Sequence, residues 1–170
     1  AVWTDPGLLK LGLSFSVPAL LILLAHEMGH YLACRRYRLP ATLPYFLPLP
    51  VMLGTLGAFI RIRAPLRDRR ELFDVGVAGP IAGFVVAVAA LVFGLQMSRV
   101  MMIESTYGLQ LGEPLLLQAI AWLVVGPLPA GYDVVLHPVA FAAWFGLFVT
   151  SLNLIPIGQL DGGHVAYALW

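Results

Sequence analysis

The residues best able to do chemistry are His26, Glu27 and His30, in the run LLAHEMGHYLA. On a helix, positions four apart share a face, so the two imidazoles can grip one metal ion together. Zinc suits two imidazoles and leaves positions for a further ligand and a water. Glu27 projects beside such an ion without having to bind it, which places it to take a proton from bound water. The bland alternative for the histidines is a polar cluster bonded across helices. Ionisable residues deep in an apolar span are costly, however, and favour a functional reading.

A hydrolytic zinc site needs a third protein ligand. Asp161, in NLIPIGQLDGGH, is the best candidate, being the only acid of the third apolar block. Gly162 and Gly163 relax the backbone beside it, and Pro156 removes a helix hydrogen bond just before it. His164 is the rival ligand, read here as a neighbour of the site. His137 falls at the far end of its helix and reads as interfacial. Asn153, eight residues before Asp161, can bond a substrate backbone or a developing oxyanion; a helix–helix hydrogen bond is the alternative. Cys34, the only cysteine, excludes an internal disulfide and reads as ordinary packing.

These residues must be positioned by apolar elements. Of 170 residues, 60% are hydrophobic and 11% charged, against about half and a quarter in soluble domains. A core of this size cannot hide that excess, so the natural solvent is lipid. The expected fold is an all-α polytopic membrane protein with a three-helix catalytic core. Its apolar spans run over about 8–34, 72–97 and 138–157, with an interfacial or re-entrant segment over 114–129. The spans form a single core over residues 1–170, and the ends, Ala1 without methionine and Trp170 inside an apolar run, read as part of a longer chain. Gly79 and Gly83, in GPIAG, are a small-residue pair that lets another helix approach.

The connector from Leu39 to Arg70 differs. Four prolines, Pro40, Pro44, Pro48 and Pro50, forbid a long helix. Ala58, Ile60 and Ile62 then alternate with Phe59, Arg61 and Arg63, which is strand periodicity. Gly54 and Gly57 suggest a turn or bulge before it, so a small strand or hairpin is expected here. Arg67 to Glu71 read as a solvated charged turn. Eight of the ten Lys and Arg fall between Cys34 and Glu71, and the positive-inside rule makes this connector cytoplasmic. His26, His30 and Asp161 then lie at similar depth, toward the cytoplasmic ends of their helices. The expected location is a prokaryotic cytoplasmic membrane. A net charge of +1 gives no case for nucleic acid.

HEMGH in a first apolar span and N-x-x-P-x-x-x-L-D-G in a third resemble the site-2 protease family of intramembrane zinc metalloproteases. The matching residues are His26, Glu27, His30, Asn153, Pro156, Leu160, Asp161 and Gly162, and the layout matches from about Leu8 to Leu169. The resemblance implies one Zn2+ held by His26, His30 and Asp161, Glu27 as catalytic acid/base, and Asn153 in substrate handling. It also implies cleavage of a membrane-spanning protein substrate. A transmembrane helix must unwind before water reaches its peptide bonds, and an extended peptide could pair with a strand edge. The segment from Gly57 to Arg63, with Phe59 and Arg61 as substrate-binding residues, is the candidate edge. The competing readings are a zinc transporter, which needs access from both sides, and a catalytically silent protein that binds membrane segments.

Overall fold

The computed structural model describes residues 6–48, 55–63, 68–102 and 111–170. It is mostly helical. Helix α1 (Pro6–Arg36) and helix α2 (Arg69–Gln96) are both long and apolar enough to cross a membrane. Their sequence-expected bounds, 8–34 and 72–97, differ from these by at most three residues. Both helices turn large apolar side chains outward, among them Leu11, Leu21, Leu32, Phe84, Val85 and Phe93. An all-round apolar helix of this kind belongs in lipid or a large core.

Helix α1 ends at the arginine cluster. Leu39 N–H reaches back to the Cys34 carbonyl, and Arg38 takes φ 57°, a left-handed stop without glycine. Asp68 caps α2 by accepting from the Arg70 amide at 3.2 Å. Arg69 to Glu71 are therefore the first turn of α2 and not a loop, though Asp68, Arg69 and Arg70 are exposed as expected; Arg67 and Gly54 lie outside the described residues.

Between the two helices, β1 (Tyr45–Pro48) and β2 (Thr55–Phe59) form an antiparallel hairpin. The bulge falls at Gly57, ahead of Ala58 as expected, although the strand itself begins earlier, at Thr55. Phe46 pairs with Ala58 and Pro48 with Thr55, so β2 carries one extra residue, and Gly57 has φ +133° there. An isolated bridge, Ala41 to Ile62, prolongs the pairing.

The third apolar block differs from expectation. Helix α4 covers Pro138–Asn153, and a separate helix, α5, covers Asp161–Leu169. Pro156 has no amide to continue α4 and disfavours helical geometry before it. Gly158, with φ 56°, turns the chain toward α5. Part of the mixed region 98–137 also has regular structure. Arg99–Met102 (β3) pairs antiparallel with Tyr132–Val135 (β4), and the short helix α3 (Leu115–Val124) lies between them in sequence. Leu117 and Ile120 of α3 are buried, whereas Leu115, Trp122 and Leu123 are exposed.

The core joins Ile22 of α1, Ala87, Leu91 and Leu95 of α2, Leu117 and Ile120 of α3, and Ala140 and Ala143 of α4. Small residues bring these helices close. A methyl group on Gly94 would overlap the Ala140 amide, and one on Gly29 would overlap the Ala78 carbonyl. Packing of this kind holds helices together where lipid offers no hydrophobic drive.

Candidate metal centre

Three polar side chains are buried among the described residues: His26, His30 and Thr150. Thr150 satisfies itself within its helix, donating to the Gly146 carbonyl at 2.8 Å. The histidines point inward from the basic-end half of α1 and meet Asp161, the first residue of α5. His26 Nε2 lies 3.1 Å from Asp161 Oδ2, His30 Nε2 lies 3.3 Å from Asp161 Oδ1, and the two Nε2 atoms are 3.1 Å apart. Zinc bonds to nitrogen and oxygen of about 2.0–2.2 Å make the edge of a tetrahedron about 3.4 Å. The two imidazoles and the Asp161 carboxylate, which meets each ring through a different oxygen, therefore form a triangle of residues whose donor spacings are close to the edge of a zinc tetrahedron.

The donor chemistry fits as well. His30 Nδ1 lies 2.7 Å from the Val75 carbonyl. A carbonyl only accepts, so Nδ1 carries the proton, and in the neutral ring Nε2 presents a bare lone pair. That lone pair faces a carboxylate oxygen, another acceptor. A proton or a metal ion between them resolves the conflict, and a second nitrogen anchored to a carbonyl is the usual support of a metal-bound histidine.

Local sequence explains how Asp161 arrives. The loop after α4 folds back across the first turn of α5, and a side chain on Gly162 would overlap the Leu154 carbonyl. One on Gly163 would overlap the Gly158 carbonyl. The paired glycines thus serve close backbone approach more than flexibility. A carboxylate in the first turn of a helix is also favoured by the helix dipole.

A cavity of about 310 Å3 opens beside the triangle. Glu27, Phe59, Ile60, Ile62, Asn153, Gln159 and His164 help to line it. The donor atoms of His26, Glu27 and His30 lie within 4.8 Å of one another, and the Glu27 carboxylate also meets the Ile60 backbone. Asp161 is the residue that touches both Nε2 atoms, so Glu27 stands beside the triangle. Asn153 is the last residue of α4, so its relation to Asp161 is set by the loop and not by helical periodicity. His164 lines the cavity but, among the described residues, hydrogen-bonds none of the three donors through its side chain. His137 caps the opposite end of α4, accepting from the Val139 amide at 3.3 Å.

Phe59 and Arg61 part company. Phe59 lines the cavity; Arg61 does not. The Arg61 amide donates to Thr42 Oγ1 at 2.9 Å and its carbonyl accepts from the Thr42 amide at 3.0 Å. Arg63 likewise donates to the Pro40 carbonyl at 2.8 Å. The backbone groups turned away from that pairing are those of Ile60 and Ile62, which lie within the edge expected over Gly57 to Arg63 but are not the residues singled out in it. Val75, Gly79 and Gln159 were not singled out as part of the site. For Gly79 a signal existed in the glycine spacing, but it was read as packing alone.

Residues 14–170 match the pattern of peptidase family M50. Probable zinc metalloprotease EGY2, chloroplastic, of Oryza sativa subsp. indica is 34% identical, over 96% of this chain and 30% of that protein. The protein of the same name in Arabidopsis thaliana is 34% identical over the same shares. Probable zinc metalloprotease EGY1, chloroplastic, of Arabidopsis thaliana is 34% identical over 84% of this chain and 27% of its own length. The chain thus spans about 30% of the length of the relatives it resembles. Their names place them in chloroplasts, which lends no support to a prokaryotic source or to a cytoplasmic side. The match runs over nearly the whole chain and takes in both motifs that meet at the triangle: this chain belongs to peptidase family M50, the site-2 protease family.

Proposed function

We propose that this chain is the catalytic core of a membrane zinc metalloprotease that hydrolyses peptide bonds in or near transmembrane segments of protein substrates. The observation that carries the reading is the convergence of His26 Nε2, His30 Nε2 and the two Asp161 carboxylate oxygens at spacings of 3.1–3.3 Å, beside a cavity that Glu27 lines. Its membership of family M50 and the names of its relatives support zinc as the ion and peptide hydrolysis as the reaction.

In this reading His26, His30 and Asp161 hold one Zn2+. When bound, zinc would polarise a carbonyl and bring the pKa of a water down to near neutrality. Glu27 takes the water proton and passes it to the leaving amine. The Asn153 amide bonds the substrate backbone or the oxyanion that develops there. An unwound substrate pairs with the outward Ile60 carbonyl and the outward amide and carbonyl of Ile62, the Ile60 amide being turned to Glu27, with Phe59 against its side chains. Arg61 keeps the strand in place through Thr42. The discontinuous third span, α4 followed by α5, is irregular backbone at membrane depth, which is tolerated where it lines a wet cavity. The donors gather at one end of the helices, which favours hydrolysis over transport. By the positive-inside rule that end faces the cytoplasm or its equivalent.

The test is Glu27→Gln in the purified, detergent-solubilised protein. It retains zinc at wild-type stoichiometry and loses cleavage of a model transmembrane substrate by at least about 100-fold, as expected for a general base. Wild-type turnover in this variant refutes the assigned role.

A further inference from the structure

The His30 ring lies in a seat on α2, and the floor of that seat is Gly79. A helical side chain leans toward the N-terminus and covers the turn before its own Cα. A side chain at position 79 would thus cover the turn that presents the Val75 carbonyl, which His30 Nδ1 reaches at 2.7 Å. A Cβ on Gly79 would overlap Nε2, Cδ2 and Cε1 of His30, and these are its three nearest atoms.

The other glycines of α2 do different things. A Cβ on Gly83 would meet His26 Cβ at 3.2 Å and Nδ1 at 3.3 Å, a tight contact without overlap. One on Gly76 would stay 3.2–3.5 Å from Val165, Asp161 and His164. At Gly94, and at Gly29 on α1, the overlap is with backbone atoms of the facing segment, as expected of residues that let helices touch. At Gly79 it is with one imidazole. That ring has little room to yield: it is buried, and Nε2 faces His26 at 3.1 Å and Asp161 at 3.3 Å.

We propose that Gly79 is a positioning residue for the metal centre. Its missing side chain exposes the Val75 carbonyl to Nδ1–H, which fixes the His30 tautomer and aims Nε2 at the ion. The inference rests on His30 being a metal ligand.

The experiment compares Gly79→Ala, Gly94→Ala, His30→Ala and the double variant Gly79→Ala/His30→Ala, all in detergent. Zinc affinity is read by chelator competition, ligand geometry by the visible spectrum of the cobalt-substituted protein, and folding by the thermal midpoint. Gly79→Ala lowers zinc affinity about 10–100-fold, the usual range for a support of a metal ligand, and alters the cobalt spectrum. Gly94→Ala lowers the midpoint but leaves affinity and spectrum at wild type. In the His30→Ala background the ring is gone, so Gly79→Ala shifts the midpoint far less than in the wild type. This arm holds even where the single Gly79→Ala variant does not fold. Wild-type zinc affinity in Gly79→Ala, or an equal midpoint shift in both backgrounds, overturns the inference. Wild-type zinc affinity in His30→Ala overturns the ligand assignment itself, a result distinct from either.

Discussion

The two halves of the metal centre are built in opposite ways. His26 and His30 stand on an unbroken 31-residue helix, where periodicity alone fixes their spacing. Asp161 stands at the start of a nine-residue helix, reached through a loop that crosses back over it. The first half takes its spacing from local helix geometry and only the aim of His30 from α2; the other needs a helix to stop, a chain reversal and two glycines, each under a different carbonyl. The spacing of the first is robust wherever α1 is helical. The second exists only in the packed protein, so even its placement can be lost there.

The largest break in this comparison is Asp161→Asn. Loss of the charged donor should drop retained zinc from about one equivalent to under about 0.1 after dialysis, because binding depends on a deprotonated ligand. His164→Ala should keep its zinc. Zinc retained without Asp161 but lost without His164 reverses the ligand assignment. Next comes Gly162→Ala, which forces the loop off α5. Overpacking against backbone should cost about 2–3 kcal/mol and weaken zinc binding with it, seen as a lower thermal midpoint and faster chelator stripping. The mildest is Leu91→Ala, in the continuous helix α2 and fully buried. It should cost about 2 kcal/mol, the low end for such cavities, since lipid is itself apolar. Zinc affinity should stay at wild type, and a tenfold loss would show that the site leans on the far core.

Legibility from sequence follows the same division. Helices α1 and α2 could be read almost to the residue because length and apolarity decide them. The His–Glu–His face could be read because a helix converts spacing into geometry. Asp161 could be singled out from its motif and its depth, and a break before it was expected from Pro156 and GQLDGGH; that α4 stops as early as Asn153 was not. The strand alternation around Ile60 gave the two faces correctly. Which backbone groups point at the cavity depended on the pairing with Pro40 and Thr42, a tertiary fact, so the edge from Gly57 to Arg63 could be named from sequence but not which of its residues line the cavity. Strands β3 and β4 are four residues each and mostly exposed, too short to leave a pattern. Gly79 stayed hidden because a glycine that seats a ring and one that seats a helix look alike in sequence.

The stop of α4 at Asn153 has a consequence for the surrounding bilayer. Sixteen residues at about 1.5 Å each make a rod of about 24 Å, against a hydrocarbon layer of roughly 30 Å. With α4 in the bilayer as proposed, the lipid beside it would thin to match, at a cost of fractions of a kcal/mol per Å. A transmembrane substrate of the proposed reaction that drifted to this flank would meet a shallower apolar slab than the one it spans, with its end lifted toward water. That mismatch would favour fraying of the substrate there.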